Sequence, residues 1–136
     1  MSDFKVTYKG NLSTEMTHLD SGDKIITDAP KDNQGLGRTF SPTDLVASSL
    51  GSCMFTIIAI AARTHNLNIL GMDSSVSKTM SNISPRRIER IDVVIDIRGE
   101  FDEKSKKIIE RSAENCPVHH SLNSNIKIDL KINYLR

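Results

Sequence analysis

The sequence predicts one domain that mixes strands with helices, and three observations carry that expectation. Segments near both ends alternate apolar with polar residues, the period of half-buried strands. A run of 18 residues from Leu45 to Ala62 carries no charge and is far too long for a strand. With 136 residues the chain has the length of a single domain spanning 1–136, with no room for a second core.

The elements follow in order. "FKVTYKG" sets Phe4, Val6 and Tyr8 against Lys5, Thr7 and Lys9, a strand. "LSTEMTHL" and "DKIITD" are the next two, the second entered through the turn signal Ser21-Gly22-Asp23. "APKDNQGLGRTF" is a loop, because Pro30, Gly35 and Gly37 break any period. Its length suits a functional loop or lid. "SPTD" then starts a helix: Ser41 is the N-cap, Pro42 takes the first helical position, and Asp44 completes a shortened capping box. That helix should run from Pro42 to about His65. Strands are expected in "MDSSVSKTM" and, more strongly, in "IERIDVVIDIRG", where Ile91, Val93, Ile95 and Ile97 share a face. "DEKSKKIIERSAEN" is an amphipathic helix with Ser105, Ile108, Ile109, Ser112 and Ala113 on one side. Cys116 continues that face, and Pro117 bends the chain there by disfavouring helical geometry at the preceding residue. A last strand sets Ile126, Ile128, Leu130, Ile132 and Tyr134 on one side.

Composition narrows the function classes. Lys and Arg number 18 against 17 Asp and Glu, so no large field draws nucleic acid or an acidic membrane. Asp3 and Lys5 stand where a secretory signal needs an apolar segment, which points to the cytoplasm. The uncharged run approaches the ~20 residues of a membrane span. Ser48, Ser49, Gly51, Ser52 and Thr56 dilute it, however, and the alternating strands need an apolar layer to cover them. It is therefore expected as a central helix packed around its whole circumference, with no membrane partner. The small residues Ala47 to Ser52 allow another backbone to approach, for example a second copy of the chain.

The two cysteines, Cys53 and Cys116, are not spaced as CxxC, and in a reducing compartment they are poor candidates for a permanent disulfide. Cys53 reads either as a buried small hydrophobe or as a reactive thiol. The helix dipole cannot activate it three turns from the N-terminus, so a cation must come from elsewhere. Cys116 either closes the Ile108/Ile109 face or, with His119 three residues on, sits where a thiol pKa can be lowered. Cys116 and His119 with a remote Cys53 also permit a zinc reading, without the paired spacings of structural zinc sites.

"FSPTDLVASSLGSC", followed far downstream by "ENCPVHHSL", resembles the OsmC family of organic-hydroperoxide-reducing proteins, in its OsmC-like or YhfA-like branch. "VSKTM" and "PRRIERIDVVI" fit that branch too, so the resemblance covers nearly the whole chain. It implies an α+β fold in which a bent antiparallel sheet wraps a long central helix, and an intertwined homodimer. It also implies a thiol-dependent peroxidase with no cofactor and no metal. Cys53 would attack an organic hydroperoxide, Cys116 would resolve the sulfenic acid as a transient disulfide, and an external thiol, such as a lipoyl-type dithiol, would reduce it. Peroxidase members carry Glu directly after the helix-start Pro, where it orients an Arg from the N-terminal strands. This chain has Thr43 there, Asp44 one residue later, and no Arg before Arg38. Arg38 is then the nearest spare guanidinium for the thiolate, its other reading being a solvated loop charge. Two functions follow: a peroxidase of oxidative or osmotic stress defence, and a dimer that senses oxidation or holds an apolar ligand without fast turnover.

Overall fold

A computed structural model describes residues 3–136. The fold is α+β, with two three-stranded sheets and three α-helices among the described residues. Two compact units divide near Val46.

In the first unit, β1 (Phe4–Gly10), β2 (Ser13–His18) and β3 (Lys24–Asp28) form an antiparallel sheet in sequential order. The β1–β2 turn holds Gly10, Asn11 and Leu12 at positive φ. The expected alternation is present: Val6 pairs with Met16, and Met16 with Ile25, on one face. Yet Phe4, Val6 and Tyr8 are each 64% exposed, so β1 is not half-buried within this chain. The loop after β3 folds back on itself around a 3-10 turn at Lys31–Asn33. A Cβ at Gly35 would lie 1.7 Å from the Ala29 carbonyl oxygen, so only glycine permits that approach.

Helix α1 (Pro42–His65) begins in the first unit and runs into the second. Its start is a complete capping box: the Asp44 N–H donates to Ser41 Oγ at 3.1 Å, and the Ser41 N–H donates to Asp44 Oδ2 at 2.9 Å. Both orphan donors are thereby satisfied by local sequence alone.

The second unit adds β4 (Gly71–Met80), β5 (Ile88–Arg98), α2 (Glu103–Glu114), α3 (Pro117–Ser121) and β6 (Lys127–Leu135). Strands β4 and β5 pair antiparallel, but β6 lies parallel to β5, so the expected antiparallel sheet is mixed here. Parallel neighbours need a long crossover, and α2 with α3 supplies it. Ile91, Val93, Ile95 and Ile97 of β5 are buried against Leu50, Met54 and Ile58 of α1 and Ile109 and Ala113 of α2. Each Ile, Leu, Val or Met side chain of this set contributes about 1.5–3 kcal/mol by leaving water.

Helix α1 departs from the all-round packing expected of it. Ala47, Leu50, Gly51, Met54, Ile58 and Ala62 make a buried stripe, while Ser49, Ser52, Thr56, Ala59, Ile60 and Arg63 on the opposite side are exposed. By length and composition α1 could cross a membrane, with a mean hydropathy of 2.0 in its most apolar window. Its buried stripe instead packs on the sheet. The close neighbour of Gly51 is β4 of the same chain, because a Cβ there would meet Val76 Cγ2 at 3.0 Å.

Candidate functional site

Cys53 lies on the flank of α1, between the buried stripe and the exposed one, and is half-buried. Cys116 lies at the junction of α2 and α3 and is fully buried. The bend expected from Pro117 is there: Cys116 has φ −70° and ψ 141°, extended backbone, and serves as the N-cap of α3. The amphipathic face of α2 carries it inward, since Ile109, Ala113 and Cys116 all enter the core. The two thiols are neighbours there, close enough for the Cys53 side chain to act on the Cys116 thiol.

Burial pushes the Cys116 thiol above its ordinary pKa, because a thiolate loses more solvation than a thiol. The His119 and Val118 backbone N–H groups pull the other way, and the Cys53 thiol adds to the rise. The His119 N–H reaches Cys116 Sγ at 3.2 Å. The expected lowering by the His119 ring does not occur. Its Nδ1 is 2.9 Å from the Glu114 carbonyl oxygen, and the ring stacks on His120. What reaches the sulfur is main chain rather than imidazole. Cys116 is therefore a desolvated thiol whose sulfur is already met by the His119 N–H. Among the described residues, no three His, Cys, Asp or Glu side chains group as a metal site.

Arg38 is not spare. Its Nε donates to Asp28 Oδ2 at 2.8 Å and its Nη2 to Asp28 Oδ1 at 3.0 Å, while its own backbone N–H donates to Oδ2 at 2.9 Å. This is a two-pronged guanidinium–carboxylate pair that fixes the plane of the guanidinium. The Asp28 side chain is 3% exposed and that of Arg38 is 61% exposed, so the carboxylate is the anchor and the guanidinium the presented group. The Arg38 hydrogen bond holds the Asp28 carboxyl down at about 2, against the opposing effect of burial. Main-chain bonds close the loop around the pair, from the Asp28 N–H to the Phe40 carbonyl at 3.1 Å and from the Gly37 N–H to the Ala29 carbonyl at 3.2 Å.

Asp28 escaped the reading of the sequence. The available signal was a carboxylate ending an alternating strand and a lone Arg closing the Pro/Gly loop that follows it. Strand register explains the burial: Asp28 pairs with Ser13 of β2, and Ser13 is buried with it.

The OsmC-like protein family profile matches residues 34–131. No curated protein matches the chain. Among solved structures, a Psychrobacter arcticus protein assigned to osmotic stress induction and detoxification response is 46% identical, with a TM-score of 0.91 over 97% of this chain and 96% of that one. An OsmC-like protein from Mycoplasma pneumoniae is 19% identical, with a TM-score of 0.84 over 100% and 98% of the two chains. An organic hydroperoxide resistance protein from Legionella pneumophila is 15% identical, with a TM-score of 0.78 over 96% and 94%. The two more distant likenesses are likenesses of fold. With a family match across most of its length and a relative at 46% identity, the chain belongs to the OsmC family.

Proposed function

We propose that this protein is a cytoplasmic, homodimeric, thiol-dependent peroxidase for organic hydroperoxides, acting in peroxide and osmotic stress defence. The reading is carried by one observation: Cys53 and Cys116 are interacting neighbours, the first half-buried and the second fully buried. A peroxide must touch the sulfur it oxidises, so accessibility assigns the attack to Cys53. The Cys53 thiolate displaces the alcohol from the peroxide O–O bond and becomes sulfenic acid. Cys116 then condenses with it, releasing water and forming the Cys53–Cys116 disulfide, and an external thiol returns both to the reduced state. A raised thiol pKa suits that second role, because Cys116 stays protonated and inert until its neighbour is oxidised.

Arg38 is the proposed thiolate partner that the family resemblance implies, with its guanidinium held by Asp28. Support for it is the fixed, mostly exposed guanidinium. The organic hydroperoxide resistance proteins of similar fold and the detoxification-response relative support the substrate class.

Cumene hydroperoxide consumption in the presence of a reducing thiol tests the reading. Cys53→Ser should fall to background, since a hydroxyl without a strong base is a far poorer nucleophile than a thiolate. Cys116→Ser should still attack once, leaving a sulfenic acid that dimedone traps and that excess peroxide over-oxidises. Arg38→Ala should slow the first step most at neutral pH and least near pH ~8.5, where a free thiol ionises unaided. Equal consumption by wild type and Cys53→Ser would remove the proposal.

One observation favours a second reading, a redox sensor without fast turnover: Asp28 neutralises much of the charge that Arg38 could lend a thiolate. A single oxidation event that no thiol reductant turns over would select it.

A further inference from the structure

We propose that the oxidised protein is reduced by attack of the external thiol on Cys53 and not on Cys116, so that the mixed disulfide forms on α1 and Cys116 is always the leaving group. The inference rests on the Cys53–Cys116 disulfide of the reading above and adds which of its two sulfurs is chemically open.

Exchange requires a thiolate to approach a disulfide sulfur along the S–S axis. Cys116 offers no such approach. It has no solvent exposure, it sits in the core with Ile109 and Ala113, and its Sγ faces the His119 N–H at the start of α3. Cys53 sits on the helix flank, next to the exposed stripe of Ser49, Ser52 and Thr56. Leaving-group ability opposes this outcome, because a thiol of raised pKa departs more slowly. Access decides the competition: a slower departure reduces a rate, whereas a sulfur without an open face has no rate to reduce. Moreover, the departing Cys116 sulfur does not leave into a purely apolar space. The His119 N–H that already points at it, 3.2 Å away, receives the developing thiolate.

The step balances. The external thiolate forms a new S–S bond to Cys53 Sγ, the Cys53–Cys116 bond breaks, and its electron pair goes to Cys116 Sγ. Cys116 takes up a proton, replacing the one the external thiol lost. A second external thiol then attacks the sulfur of the first, releasing Cys53 and carrying away an external disulfide. Because Cys116 remains beside Cys53, it recaptures the mixed disulfide unless the second thiol is equally close. A dithiol reductant meets that condition, since its second attack is intramolecular.

The test oxidises wild-type protein with diamide, which makes a disulfide without any peroxidase chemistry. The product is exposed briefly to excess 2-mercaptoethanol, quenched in acid, alkylated in denaturant and digested for mass spectrometry. The mercaptoethanol adduct is expected on the peptide holding Cys53 and the alkyl group on that holding Cys116, with the reverse pattern at least about tenfold rarer. A parallel measurement follows reduced, folded Cys53→Ser and Cys116→Ser with a disulfide reagent, where the Cys116 thiol left alone should react at least about tenfold more slowly than the Cys53 thiol left alone. An adduct on Cys116, an even division, or a disulfide that resists 2-mercaptoethanol altogether would overturn the proposal. Failure of diamide to link the two cysteines would sink the thiol pairing, and the proposal with it. Adducts on Cys53 in a protein that consumes no hydroperoxide would sustain this proposal and reject only the peroxidase.

Discussion

In β5 the alternating side chains Ile91, Val93, Ile95 and Ile97 are at most 1% exposed, whereas in β1 the alternating Phe4, Val6 and Tyr8 are 64% exposed each. Both strands have the same period and comparable apolar content. They differ in what their own unit offers as cover: β5 has α1 and α2 against it, while the first unit adds to its sheet only a closing loop and the first turn of α1. Alternation therefore says which residues share a face and nothing about what lies over that face. An apolar face left exposed on a small domain marks an interaction surface, which is why the proposed function includes a second copy of the chain.

Truncation in the covered sheet should have the largest effect on stability. Ile95→Ala is expected to cost about 2–5 kcal/mol in urea unfolding, the usual loss for a fully buried aliphatic side chain that leaves a cavity. Val6→Ala in a dilute, monomeric sample should stay within about 0.5 kcal/mol, as exposed substitutions do. Equal losses at the two positions would erase the contrast between the sheets.

The open sheet is probed next by assembly rather than by unfolding. Sedimentation at micromolar concentration should give twice the 15.1 kDa chain mass for wild type. Val6→Asp should shift the population toward one chain mass, because it places a charge in the middle of the apolar face. A wild-type protein that sediments as a clean monomer would leave β1 exposed for some other reason.

Within the first unit, the Asp28–Arg38 pair ties the loop to the end of β3, and its signature is a pH dependence. The Asp28 carboxyl is held at about 2, below its ordinary 3.8, so its contribution is fully present above pH 3.8 and is lost as pH falls through 2. Asp28→Asn should thus lower thermal stability by a constant amount near neutral pH, and the difference should close between about pH 4 and pH 2. A gap that persists at pH 2 would mean that the carboxylate charge is not what anchors the loop.

The smallest expected effect is local. Ser41→Ala removes one arm of the α1 capping box and should cost about 1 kcal/mol in thermal unfolding, with Asp44 still accepting from the backbone. A loss as large as that of Ile95→Ala would show that Ser41, itself buried, does more than cap.

Features that depend on neighbours along the chain were legible in the sequence. Ser41, Pro42 and Asp44 set the start of α1 because a cap is an interaction across three residues. The alternations of β1 and β5, and the bend that Pro117 forces at Cys116, follow from backbone and side-chain geometry within a few positions. The two cysteine segments, taken together, also pointed to the family. What remained illegible was everything set by residues distant in sequence. Nothing near β6 dictates that it lie parallel to β5, since the same apolar face would serve either direction. Gly51 is small in the sequence, but only packing decides that its neighbour is Val76 of β4. Arg38 looked spare until the folded loop closed it onto Asp28, and His119 looked like a partner for Cys116 until its ring turned to the Glu114 carbonyl. The burial that raises the Cys116 thiol belongs to the core and not to the residues beside it, because solvation depends on surrounding atoms in space.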